Sequence, residues 1–300
     1  MPEYPDITIY IERLQHFLKA QTLQQVRIAN PFFLRTADPP LNSIVGLELS
    51  DVERLAKRII FVFPGEYFLV LHLMISGRLH WKESGIRIPK KRGLAAMDFS
   101  NGSLLITEAS TKKRASCHLI KGREQLKSFD RGGLEVLDAP LEEFANAIKN
   151  ENHTLKRTLA DPQLLSGIGN AYSDEILHHA RLSPVLLTQK MTEVQIEQLY
   201  HSTREILVER TQWIREEVGE GFPEKVTAFR DDMTVHGRFG LPCPKCGTKV
   251  QRIRYLANET NYCPGCQTEG KLLADRSLSR LLKKDWPRTL EALEEMQGVK

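Results

Sequence analysis

The chain has 300 residues, 41% of them hydrophobic, enough for two or three domains with cores of their own. Its net charge of +4 is too small to establish a nucleic-acid partner by itself, and it has no apolar run of the roughly eighteen residues that a membrane span needs. The start lacks a basic-then-apolar leader, so a soluble intracellular monomer of the cytoplasm or nucleoid, with no membrane partner, is expected.

In chain order, Met1-Pro2-Glu3 comes first. If Met1 is removed, the chain begins with a secondary amine followed by a carboxyl group. An α-amine with pKa near 8 is roughly one-tenth neutral at pH 7, far more than an ordinary lysine. Condensed with an aldehyde carbon it gives an iminium, an electron sink suited to cleaving bonds beside a sugar C1′. Glu3 is placed to move protons there. Taken alone, these residues are also an ordinary chain start.

Ile7, Tyr10, Ile11, Leu14, Phe17 and Leu18 form the stripe of an amphipathic helix over 5–20, with Pro5 and Asp6 suited to its first turn. Its positive end opposes protonation of the nearby amine. From about 23 to 120 the pattern is strand-like: Gln25–Ile28, Gly46–Val52, Arg58–Phe63, Tyr67–Leu73 and Ser103–Thr107, with turns at Pro64-Gly65 and Asn101-Gly102. A β-sandwich behind one leading helix follows. Residues 111–123 carry Lys112, Lys113, Arg114, Lys121 and Arg123 without an acid, either a solvated face or a DNA contact. Cys117 reads as a small buried apolar residue.

After Arg131-Gly-Gly133 the character turns helical, with helices over Leu141–Ile148, His153–Leu159, Ala171–Ala180 and Val194 to about Glu217. Leu164-Leu-Ser-Gly-Ile-Gly-Asn170 puts glycines at a helix entry, where backbone N–H groups meet a phosphate or the chain simply turns. Residues 218–234 read as a loop. Cys243-x2-Cys246 and Cys263-x2-Cys266, separated by sixteen residues, form a zinc pattern on two tight knuckles. Four thiolates fill a tetrahedron, so the ion is structural, and no catalytic metal is expected. Beyond 268 a basic extension places Leu278, Leu281 and Leu282 on one helical face, followed by Trp286-Pro287. It either packs on the body or adds DNA affinity.

The ordered set Met1-Pro2-Glu3, Lys57, His72-Leu-x-x-Ser-Gly-Arg-Leu79, Gly167-Ile-Gly-Asn-Ala-Tyr-Ser-Asp-Glu-Ile-Leu177 and Val235-His-Gly-Arg238 ahead of the four-cysteine ribbon resembles the formamidopyrimidine-DNA glycosylase/endonuclease VIII family. The resemblance runs from residue 2 to about 268. It implies an α+β multidomain enzyme: an N-terminal catalytic helix and β-sandwich (2–125), a helix–two-turns–helix domain (135–230) and a zinc ribbon (235–268), with the basic C-terminal extension (269–300) outside the resemblance. The implied activity is excision of oxidised bases, purines favoured, from double-stranded DNA, followed by strand cleavage at the abasic site. Carried over by position, Pro2 is the nucleophile, Glu3 moves protons and Lys57 stabilises charge at the scissile phosphate. Lys156 and Asn170 contact phosphate, and His72 lies in the loop entering the cleft. Met74 or Ile75 of that loop fills the gap left by the flipped nucleotide.

Four departures stand out. Asp6 replaces the usual glutamate. Glu108-Ala-Ser-Thr-Lys-Lys-Arg-Ala115 replaces the Asp-Pro-Arg-Arg-Phe-Gly loop, so that one of Lys112, Lys113 or Arg114 takes the arginine's place without an aromatic wedge. Asn258 stands where the ribbon arginine grips the lesion's phosphates, with Arg252 and Arg254 as substitutes if the hairpin turns differently. The segment 218–234 differs from the usual lesion-capping loop. A damage-binding protein, or an abasic-site lyase with little glycosylase activity, is the alternative reading.

Overall fold

The apolar stripe winds into helix α1 (Tyr4–Leu18), which buries Ile7, Tyr10, Leu14 and Leu18 completely. A reciprocal cap fixes its start: the Glu3 N–H donates to the Asp6 carboxylate at 3.0 Å, and the Glu3 carboxylate accepts from the Asp6 backbone. Pro5 sits in the first turn, where no intrahelical N–H is needed. The structure is a computed structural model that describes residues 1–224, 226, 230, 232–255, 258–274 and 286–297. It divides into two compact units, the first made of 1–131 and 209–227, the second of 132–208 and 228–300.

In the first unit, eight strands follow α1: β1 (Leu23–Ile28), β2 (Asp51–Leu55), β3 (Arg58–Phe63), β4 (Tyr67–His72), β5 (Gly77–Lys82), β6 (Gly93–Phe99), β7 (Gly102–Glu108) and β8 (Ser116–Lys121). They form two four-stranded antiparallel sheets, ordered β1-β6-β7-β5 and β2-β3-β4-β8. Alternate residues enter the shared core: Ile59, Phe61, Leu69 and Leu71 from one sheet, Leu79, Met97, Leu104 and Ile106 from the other. Each such side chain contributes about 1.5–3 kcal/mol by leaving water. Phe99 pairs with Gly102, leaving Ser100-Asn101 as the hairpin loop. A Cβ on Gly102 would lie 2.3 Å from the Trp81 ring, so only glycine fits that turn.

The expected strand Gly46–Val52 is corrected. Only Asp51 and Val52 belong to β2, because Leu47 N–H bonds back to Ile44 O and Gly46 turns the chain at φ +86°. Strands β5 and β6 carry weaker sequence signals; every residue of β6 is buried, so no alternation marks it. Residues 209–227 pack with this unit. Phe222 stacks between Tyr10 and Phe17, at 5.9 and 6.1 Å, and Val226 enters the sandwich core. The Glu224 carboxylate meets His80 Nδ1 at 2.6 Å and Lys82 Nζ at 2.9 Å.

The second unit contains α2 (Leu141–Lys149), α3 (Leu155–Ala160), α4 (Asn170–His179) and the part of α5 (Glu193–Val218) up to residue 208. A ribbon of β9 (Gln251–Tyr255) and β10 (Asn258–Tyr262) follows, with the short helix α6 (Pro264–Gln267). Helix α7 (Leu290–Gln297) meets the ribbon through a Lys249–Glu294 ion pair of 2.6 Å. The expected apolar face of Leu278, Leu281 and Leu282 lies outside the described residues. Among the described residues, no helix is long and apolar enough to cross a membrane.

Candidate active site and nucleic-acid interface

The α1 cap and the β2–β3 hairpin build one end of the first unit. Leu55 pairs with Arg58, so Ala56-Lys57 is the whole turn, with Ala56 at φ +52°. A non-glycine residue there is strained, and the Arg54 guanidinium holds it by donating to Ala56 O at 3.0 Å. The turn carries Lys57 inward until it is 8% exposed, beside a Glu3 that is 2% exposed. Burial pushes the Lys57 ammonium below its usual range, and the Glu3 carboxylate pulls it back. The chain's terminal amine, on Met1, shares this environment. Burial lowers its pKa most; Glu3 raises it, Arg78 lowers it, and Asp6 and Lys57 act more weakly in those two directions. Pro2 is buried at the same place. Arg78 is a neighbour that sequence reasoning missed, although it stood inside the quoted Ser-Gly-Arg motif.

The loop after β4 is tightly specified. Met74 adopts φ +53°, and Gly77 N–H closes on Leu73 O at 2.9 Å, where a Cβ on Gly77 would lie 2.2 Å from that oxygen. Ile75 is 60% exposed at the tip while Met74 is half-buried, so Ile75 is the freer of the two side chains. Loop 108–115 is clasped to this one. Glu108, 1% exposed, accepts from Ser76 Oγ at 3.3 Å, Arg114 N at 2.8 Å and Ala115 N at 3.1 Å. Lys113 Nζ donates to Glu108 O, which turns that cation toward the loop, while Lys112 and Arg114 remain exposed. His72, at the end of β4, is held near pKa 4, chiefly by burial and then by Arg58 and Lys57. Cys117 is buried, which lifts its thiol to about 12.

In the second unit, Gly167 at φ +79° turns the chain into α4, and Asn170 is its first residue. Lys156 donates to Asn170 O and Asp174 Oδ1, both at 2.5 Å. Asp174 is fully buried, and its Oδ2 also takes His236 Nδ1 at 2.8 Å and Asn261 N at 3.1 Å. Glu175 accepts three backbone N–H groups, from Thr234, Val235 and His236. These acids fasten the ribbon to α4, a role their sequence motif did not announce. On the ribbon, Arg254 pairs across from Glu259, and Arg252 lies over the Phe239 ring at 4.1 Å while reaching Glu259 at 3.4 Å. Asn258 is the first residue of β10, opposite Tyr255.

The cysteines converge. Cys243 and Cys266 sulfurs are 3.9 Å apart, close to the roughly 3.8 Å edge of a zinc–thiolate tetrahedron, and Cys246 lies 3.3 Å from Cys263. A Cβ on Gly265 would fall 2.5 Å from Thr248 Oγ1 and 3.1 Å from Cys246 Sγ, so the knuckle requires that glycine. His178 of α4, 1% exposed, brings Nε2 to 3.3 Å from Cys243 Sγ. The ligand atoms of His178, Cys243, Cys263 and Cys266 all lie within 4.8 Å of one another. This donor set fits a structural zinc ion. His178, which supports Cys243 from outside the four thiolates, was missed by the sequence because it lies far from the ribbon in the chain.

Three family models match: the formamidopyrimidine-DNA glycosylase N-terminal domain over residues 1–115, its H2TH domain over 134–215, and the zinc finger found in FPG and IleRS over 240–268. The formamidopyrimidine-DNA glycosylase of Thermus thermophilus is 30% identical over 280 residues, covering 90% of this chain and all of that one. An uncharacterized formamidopyrimidine-DNA glycosylase-like protein of Mycobacterium tuberculosis is 38% identical over 151 residues, half of this chain and 94% of its own. Among solved structures, MutM in complex with DNA containing carbocyclic 8-oxo-G shares the fold at TM-score 0.77 and 24% identity, covering 89% of this chain and 100% of that one. Lactococcus lactis FPG in complex with FAPY-dG-containing DNA does so at 0.78 and 24%, with the same coverages. The chain belongs to the formamidopyrimidine-DNA glycosylase family of DNA repair enzymes.

Proposed function

We propose that the protein is a bifunctional DNA glycosylase and abasic-site lyase that excises oxidised purines from double-stranded DNA, with Pro2 as its nucleophile. The observation that carries the site assignment is the burial of the chain's amino-terminal end with Glu3 and Lys57, in surroundings that disfavour protonation of an amine. Removal of Met1 frees the Pro2 nitrogen at this place. That nitrogen bonds to C1′ as the glycosidic C–N bond breaks, and the departing base takes the electron pair and a proton. Loss of the amine proton gives a neutral N,O-acetal, whose nitrogen lone pair expels O4′ from C1′; O4′ takes a proton as the ring opens, and an iminium remains. Withdrawal of a C2′ proton then expels the 3′ phosphate by β-elimination, and the iminium is finally hydrolysed. Glu3 moves protons at the sugar, and Lys57 meets charge developing on the phosphate.

Ile75 enters the vacancy left by the extruded nucleotide, with Met74 bracing it. His72, Lys112, Arg114, the α4 entry at Asn170, and the ribbon near Arg252, Arg254 and Asn258 contact the backbone. Lys156 acts through Asn170, to whose carbonyl it is bonded. Cys243, Cys246, Cys263 and Cys266 hold zinc, which stiffens the ribbon.

Borohydride trapping tests this reading. Duplexes carrying an abasic site or an oxidised purine should each yield a covalent band, with the reduced sugar on residue 2 by mass spectrometry. Pro2→Gly should weaken the band while largely sparing DNA binding. An adduct on another residue, or trapping with the abasic duplex alone, would overturn the nucleophile or the glycosylase step respectively.

A further inference from the structure

The outer face of the β2-β3-β4-β8 sheet carries a group of basic side chains of which the reaction above uses only His72. Odd-numbered residues of β3 and β4 enter the core, so Arg58, Ile60, Val70 and His72 face outward. Ile59 pairs with Leu71, which sets Arg58 across from His72; β8 sets Ser116 across from His72 and His118 across from Val70. The next row, Ile60 and Val70, is apolar and roofed by Leu126 and Phe129. The Phe129 ring lies edge-on to His118 at 5.0 Å and 6.0 Å from the Arg58 guanidinium. The chain then leaves through Asp130 and an exposed Arg131.

The result is a polar row at the strand ends, beside the hairpin tip that carries Lys57. The fold holds these basic groups together at a cost. Burial depresses Arg58, Arg131 adds to that, and Asp130 offsets part of it. His72 feels Arg58, Lys57, Arg131 and His118, while His118 feels Arg35 and Arg58. A polyanion relieves this repulsion, and Phe129 restrains Arg58 before anything binds.

We propose that Arg58, Arg131 and Ser116 form, around His72, a binding row for one backbone phosphate of the DNA strand, next to the phosphate that Lys57 meets. Arginine's planar fork grips two phosphate oxygens at once, and the Ser116 hydroxyl supplies a further donor. The polymer's identity rests on the proposed function; sheet register places Arg58, His72 and Ser116, and the Phe129 contacts to His118 and Arg58 bring the chain to Arg131 two residues later.

The test is the salt dependence of binding to a labelled duplex carrying a tetrahydrofuran abasic analogue. Each phosphate contact contributes about 0.9 to the slope of log affinity against log salt. Arg58→Gln and Arg131→Gln should each lower the slope by about that amount. Arg58→Lys should keep the slope while weakening affinity. Unchanged slopes in both glutamine variants would overturn the proposal, and exposed Arg131 gives the answer even if Arg58→Gln does not fold. Replacing chloride by inorganic phosphate at constant ionic strength separates a strand site from a free-anion site. Phosphate that perturbs the row in wild type but not in Arg58→Gln, without weakening duplex binding, would assign the row to free anions and overturn the strand assignment. Lowered slopes without borohydride trapping would sink the glycosylase reading and keep the row. Trapping with unchanged slopes would do the reverse.

Discussion

The two units treat buried charge in opposite ways. In the second, Asp174 and Glu175 are saturated with donors: Lys156, His236 and Asn261 on one, three backbone N–H groups on the other. In the first, buried Lys57 and half-buried His72 are held below their usual pKa, Lys57 by burial with Glu3 opposing the shift, His72 by burial and the charges around it. Satisfied acids fix architecture, whereas basic groups held below their usual pKa gain from a ligand that carries negative charge.

Removing one member from each set breaks or sharpens this contrast. Asp174→Ala strands Lys156 and His236 in a buried place and should cost about 3–5 kcal/mol in urea unfolding. A loss below about 1 kcal/mol would mean that the network is ornament. Lys57→Met should do the reverse. Strand cleavage should fall roughly 100- to 1,000-fold, as when a charge-stabilising donor is lost, while stability holds or rises because a desolvated ammonium is gone. If the variant unfolds easily yet cleaves well, Lys57 belongs with the architectural charges.

The metal end offers a smaller effect. His178 reaches Cys243 from α4, so His178→Ala should weaken zinc affinity about 10- to 100-fold in a chelator competition, the range for lost outer-shell support. Zinc affinity equal to wild type would reduce His178 to a packing residue. Chelation of wild-type protein should in turn cost ribbon order and DNA binding together.

The two units also differ in how far the sequence announced them. Helix α1, the β3–β4 hairpin and the cysteine knuckles were legible because each is local, read from a 3.6-residue period, a Pro-Gly turn or a CxxC spacing. The Pro2, Glu3 and Lys57 cluster was legible only as an ordered motif set. No period brings residue 57 to the chain start; a strained two-residue turn does. His178 with Cys243, Glu108 with Ser76, and Phe222 with Tyr10 were not legible. Each joins distant segments through side chains that look like ordinary surface or core residues when read singly. The row of Arg58, His72 and Ser116 needed strand register, which a run of apolar residues does not reveal.

The smallest expected effect tests the first unit's side of the contrast by titration. His72 has a folded pKa of about 4 against an ordinary value of 6.5, because burial and the charges of Arg58, Lys57, Arg131 and His118 disfavour its cation. Between those two values the unfolded chain binds more protons than the folded one, so stability rises with pH across the window. Acidification from pH 7 toward 5 should therefore destabilise the protein, by up to about 1.4 kcal/mol per pH unit from this group. His118 is depressed in the same direction and adds to the slope, so wild type alone does not isolate the effect. His72→Gln does, since glutamine keeps hydrogen-bonding capacity without a proton to gain. Its unfolding free energy in urea should fall less steeply between pH 7 and pH 5 than that of wild type. Parallel lines for the two proteins would show that His72 is already partnered in the folded state, and would move it to the satisfied side of the comparison.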